Sequence, residues 1–354
     1  MKHSDVVRGM VPSDYKILKY GGEQTKDLEY GIHKILEYLP RDMFSEESIR
    51  KNLEKYNLEN MLEQIRQYFE REYNFSDEKL ELNNSYQMSI NSYFWRGEEE
   101  GESHLIHIDE LYEASVLFFL LAMFKWTKEF DNLETYGFSF IHVLYTLNSM
   151  SILGRLPDEA ASEVLLNAVN DDLQLINLAE DCYWTITAFN IAHEVAHAYL
   201  GRNRKDAKPT RKQLHQEEYD ADAIAYDIVL KLIMDGRGQN REERILEEYT
   251  YLAPVIYIDF IDLVYYTDRV LYYAYVGTED HPLLKKRKDR LFSIPYDNKY
   301  DFDTIEGNRL YNGFLDVYDE YRTQLLLKKE NGKLDRIIDL NHLREVEEQK
   351  YEQE

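Results

Sequence analysis

Two histidines stand four residues apart in the segment His193-Glu194-Val195-Ala196-His197. On a helix that spacing puts both imidazoles on one face, about a turn apart, where they can reach the same metal ion. Glu194, next to the first histidine, would sit beside an open coordination position. A zinc ion there would lower the pKa of water towards about 7, and a carboxylate could take its proton as the water attacks a carbonyl. Alone, the pentapeptide also fits a pair of satisfied core histidines. A third ligand has to decide between them.

At the start of the next helical segment, 21 residues beyond His197, stands Glu218-Tyr219-Asp220-Ala221-Asp222. It resembles the E-x-x-A-D helix of the gluzincin zinc metallopeptidases. That resemblance implies Glu218 as the third zinc ligand beside His193 and His197. It also implies that Asp222 accepts a hydrogen bond from the outer nitrogen of a zinc-bound histidine, which fixes its tautomer. Ala221 would let two helices approach closely. The metzincin pattern is excluded, because its glycine and third histidine positions hold Leu200 and Asn203.

A third match, His281-Pro282-Leu283-Leu284-Lys285-Lys286-Arg287, resembles the H-P-x-x-x-x-R element of the HtpX and CAAX-protease branch. It implies that His281 stabilises an oxyanion and that Arg287 supports the site. Those relatives are membrane proteins, and no stretch here reads as a spanning segment. The segment His193 to Gly201 also has a fainter similarity to the Lit-type phage-exclusion peptidases, which implies a defence or toxin-type protease. The resemblance covers scattered motifs between about 185 and 290. It implies a zinc-dependent metalloendopeptidase with Glu194 as general base. The competing reading is a metal-stabilised regulatory or binding protein with a vestigial or latent peptidase site. A non-peptidase metallohydrolase on the same ligands is a third.

The elements that must carry these residues are mostly helical. Cys182 to Leu200 reads as a helix ended by a left-handed Gly201. A polar connection over 202–213 leads to a second amphipathic helix, Glu217 to Met234. Helical periodicity also marks 26–39, 46–73, 108–130, 134–152 and 158–180. The best strand candidate is 84–96, and residues 86–95 could offer an edge for an extended substrate. Helical segments continue to about 292, an irregular Tyr/Asp/Asn/Gly-rich stretch follows to 313, and a charged helix closes the chain at 334–352. The expected fold is mainly α, with α+β as the alternative: a zincin-like helix pair, a small sheet and further helices. Residues 1–80 read as an N-terminal helical lobe and 81–354 as the metallopeptidase domain.

Composition bounds the partners. With 42 basic and 67 acidic residues the net charge is −25, which repels nucleic acid and anionic lipid. One cysteine, Cys182, excludes an internal disulfide and reads as a small core residue. Asp259, Asp262, Asp268 and Arg269 interrupt the apolar stretch from Tyr249 to Val276, so it reads as a buried helix rather than a span. A soluble cytoplasmic protein is expected. Arg202, Arg204, Lys205, Lys208, Arg211 and Lys212 locally invert the charge and could meet an acidic substrate segment, though such runs are commonly solvated loops. Tyr199 and His215 flank the motifs and could reach the site.

Overall fold

The computed structural model describes residues 58–85, 93–95, 104–129, 172–201, 210–237, 246–272, 282–297 and 304–333, with positions 140, 143, 144, 146, 147, 169 and 300. The described part is mainly helical. Helix α1, Leu58–Tyr73, buries Met61, Leu62, Ile65, Tyr68 and Phe69, the face that its three- and four-residue spacing marks out. The segments 26–39 and 334–352 lie outside the described residues.

Three strands follow, in the order β1-β3-β2: β1 is Leu80–Ser85, β2 Tyr93–Trp95 and β3 His104–Asp109. β1 runs parallel to β3 with Leu80 opposite His104, and β2 antiparallel to it with Tyr93 opposite His107. The single strand expected at 84–96 is therefore divided: its first two residues end β1, and Tyr93–Trp95 form β2 at one edge. β3 was hidden in sequence by its position against the next helix. Its last residue, Asp109, is followed directly by α2, Glu110–Glu129. Only Leu80 and Ile106 of this sheet are deeply buried among the side chains described, so the hydrophobic signal is weak.

Helix α3, Leu173–Gly201, is one continuous rod of 29 residues. It merges the end of the helix expected at 158–180 with the one expected from Cys182. No glycine or proline between 173 and 200 gives it a reason to break. Its middle is buried on nearly every face. Gly201 keeps helical backbone rather than the left-handed cap expected of it; Gly332 is the described glycine with positive φ.

Helix α4, Arg211–Asp235, starts six residues before the sequence reading has it. A capping box explains why. Thr210 Oγ1 accepts from the Gln213 amide, and Gln213 Oε1 accepts from the Thr210 amide at 2.8 Å. Two orphan amides are satisfied together. α3 and α4 pack along much of their length, and Ala192, Ala196, Ala221 and Ala225 are all fully buried. Small side chains at a helix contact let the backbones come close enough to share a ligand.

Three helices complete the core: α5 Ala253–Tyr272, α6 Leu284–Asp297 and α7 Thr304–Glu330. Of the irregular stretch expected from about 292 to 313, residues 293–297 end α6 and 304–313 are instead the start of α7. Its glycines suggested a break, but they answer to packing. A Cβ at Gly307 would collide with the Tyr251 ring, and one at Gly313 would press on Thr127 Cγ2 at 2.9 Å. α5 packs on α3, α6 and α7, and α6 also packs on α4. No described helix is long and apolar enough to cross a membrane.

Candidate metal centre

α3 and α4 run antiparallel, so four residues back along α3 correspond to about four onward along α4. His197 thus meets Glu217 and Glu218, while His193 meets Asp222. The ε-nitrogens of the two histidines lie 3.0 Å apart. Glu218 closes the triangle, with Oε1 3.3 Å from His197 Nε2 and Oε2 3.7 Å from His193 Nε2. Two ligands of a tetrahedral zinc, each about 2.0–2.1 Å from the metal, lie about 3.3 Å apart. The three donors fit that spacing, and among the described residues they form the cluster able to hold a metal ion.

The δ-nitrogens point outwards to carboxylates. His193 Nδ1 lies 3.1 Å from Asp222 Oδ1, close enough to pair electrostatically though not aligned as a hydrogen bond. His197 Nδ1 lies 3.3 Å from Glu217 Oε1. Burial disfavours a charged His197, but the Glu218 hydrogen bond and the charges of Glu194, Glu218 and Asp222 outweigh it and raise its pKa. The site attracts positive charge.

Arg287 reaches in from α6. Its Nε and Nη2 donate to the two oxygens of Asp222, each at 2.7 Å, and Nη1 lies 3.8 Å from Glu218 Oε2. Burial would raise the Asp222 pKa, yet the charge and hydrogen bonds of Arg287, with the nearby His193 ring, bring it down to about 2. The guanidinium is itself buried and held charged by the same pair. It braces the carboxylates of Asp222 and Glu218.

Glu194 is buried beside His193 on α3. His281 lies outside the described residues, as do Arg202, Arg204, Lys205 and Lys208. Arg211 and Lys212 are exposed on the first turn of α4. Tyr199 packs with Phe69, Tyr73 and Phe75, which ties α3 to α1. Cys182 is fully buried, and burial pushes its thiol pKa well up, as suits a core residue. Sequence reasoning missed Glu217. The signal was there: a ligating histidine generally hands its second nitrogen to a carboxylate, and a partner was named for one histidine only.

A model of the family described as Peptidase U49 matches residues 127–294, a stretch that holds α3, α4, α5 and most of α6. The chain is similar to that family over this stretch, and the match supports a peptidase. No curated protein and no solved structure matches the chain significantly.

Proposed function

We propose that the chain is a zinc-dependent metalloendopeptidase of gluzincin type, with His193, His197 and Glu218 as the metal ligands. The observation that carries this reading is the convergence of two ε-nitrogens and one carboxylate at tetrahedral spacing, next to a buried Glu194. Zinc bound by these donors would supply Lewis acidity to a water and to a substrate carbonyl. Glu194 accepts the proton of the water as its oxygen attacks the carbonyl carbon, then returns it to the amine as the C–N bond breaks. Asp222 holds the His193 ring, and Arg287 holds Asp222 as an anion. The His-Pro motif assigns oxyanion stabilisation to His281 by resemblance alone.

The substrate is a protein or peptide. An acidic segment suits the basic run from Arg202 to Lys212, of which Arg211 and Lys212 stand exposed beside the N-terminus of the ligand helix. A single buried cysteine suits a cytoplasmic setting.

Glu194→Gln tests the reading, because the two side chains match in size while only one is a base. Zinc content should stay at one ion per chain, and peptide hydrolysis should fall by about two to four orders of magnitude. A His193→Ala, His197→Ala double variant should lose the zinc. Full activity of Glu194→Gln, or undiminished zinc in the double variant, would end the assignment.

A further inference from the structure

Around the three proposed ligands the outer contacts are strongly unequal in burial. The Asp222 side chain is only 3% exposed, and Arg287 grips it with two hydrogen bonds. On the other side, Glu217 and His197 are 17% and 18% exposed. Glu217 and Glu218 are neighbours on α4, so their side chains leave the helix about 100° apart and embrace the His197 ring from two directions. Glu218 meets the ε-nitrogen at 3.3 Å and Glu217 the δ-nitrogen, also at 3.3 Å.

From this we infer that Glu217 is a positioning residue: it holds the proton of His197 on Nδ1, so that Nε2 keeps its lone pair turned towards the metal. The inference rests on the metal-site reading above and goes beyond it. A neutral imidazole carries one proton on either nitrogen, and the partner of one nitrogen selects the tautomer. Without Glu217 the ε-protonated form becomes accessible, and that form cannot ligate through Nε2. The ring is also freer to turn about χ2.

The test is zinc affinity of the full-length chain, measured by competition with a chromophoric chelator, for wild type, Glu217→Ala and Glu217→Gln. Circular dichroism confirms that each variant is folded. Glu217→Ala should bind zinc about 10–100-fold more weakly, the range for loss of an outer-contact residue. Glu217→Gln keeps an acceptor oxygen at the same reach and should recover most of that loss. With cobalt(II) in place of zinc, the visible absorption bands of Glu217→Ala should shift, and those of Glu217→Gln should stay close to wild type. Equal zinc affinity and unchanged cobalt bands in Glu217→Ala would overturn the inference while leaving the ligand set intact. Failure of the wild-type chain to bind zinc at all would overturn the metal reading and this inference with it. If Glu217→Ala does not fold, Glu217→Gln still decides: an affinity as weak as that of a ligand variant would refute the tautomer argument.

Discussion

Asp222 on α4 and Asp259 on α5 are both buried, and each has a cation from α6 within 2.7 Å, yet their protonation is pushed in opposite directions. At Asp222, burial is overcome by a bidentate guanidinium and a nearby imidazole, and the pKa falls to about 2. At Asp259, burial wins. Lys288 gives one hydrogen bond, Tyr311 donates another at 2.9 Å, and the neighbouring charge of Asp262 works against ionisation. The pKa rises. Two donors in a fork outweigh burial and lower a carboxylate's pKa where a point charge and a phenol do not.

The contrast extends to the two regions. Around α3 and α4, carboxylates are held close together and braced, an arrangement that rewards a cation. Elsewhere five described aspartates accept a hydrogen bond from a tyrosine. Tyr68 with Asp235, Tyr249 with Asp181, Tyr300 with Asp227, Tyr311 with Asp259 and Tyr318 with Asp262 all pair hydroxyl donor to carboxylate. That use accounts for part of the high tyrosine count in so acidic a chain: a phenol fills apolar space and supplies a donor without adding charge. In each of these pairs burial and the adjacent carboxylate raise the tyrosine pKa, to about 12 at Tyr68. The phenols stay protonated, as donors must.

The largest expected effect comes from removing the brace. Arg287→Met leaves Asp222 buried with an uncompensated charge and should destabilise the fold by about 3–5 kcal/mol, read from chemical denaturation at neutral pH. Lys288→Met should cost distinctly less, about 1–2 kcal/mol, because Asp259 keeps Tyr311 and can take up a proton. Equal losses would erase the distinction between the two regions.

Tyrosine pairs should grade with burial. Tyr311→Phe removes a donor from a buried carboxylate and should cost about 1–3 kcal/mol. Tyr318→Phe should cost on the order of 0.5 kcal/mol, since Asp262 is 41% exposed and water can replace the hydroxyl. The reverse ranking would show that the pairs follow something other than desolvation.

The smallest signal is a pair of opposite pH slopes. The lowered pKa of Asp222 means that its anion contributes stability above the ordinary value of 3.8, and that contribution is lost as pH falls towards about 2. The raised pKa of Asp259 has the opposite sign: its contribution is present below 3.8 and is lost as pH rises through the raised value. Denaturation midpoints should therefore fall for wild type relative to Asp222→Asn on acidification below about pH 4, and relative to Asp259→Asn on raising pH above about 4. Parallel profiles for wild type and both variants would contradict the opposed shifts.

Local residue order made much of the site legible. The spacing of His193 and His197 needs only the helical period, and the small residues beside Glu218 announce a close helix contact. Helix α5 with its buried aspartates could be read from periodicity as well, because 20 residues of amphipathic or apolar pattern leave little choice. The start of α4 was also written locally, in the capping pair Thr210 and Gln213, though the polar composition around it masked the signal. What the chain order alone could not decide depends on distant neighbours. Gly307 and Gly313 look like breakers until Tyr251 and Thr127 are placed against them. β3 becomes a strand through its pairing with β1 and β2. Glu217 and Arg287 acquire their roles only when α4 lies antiparallel to α3 and α6 packs on α4. Local periodicity sets which residues share a face, but only packing determines which faces meet, and charge is worth most where packing has removed the water.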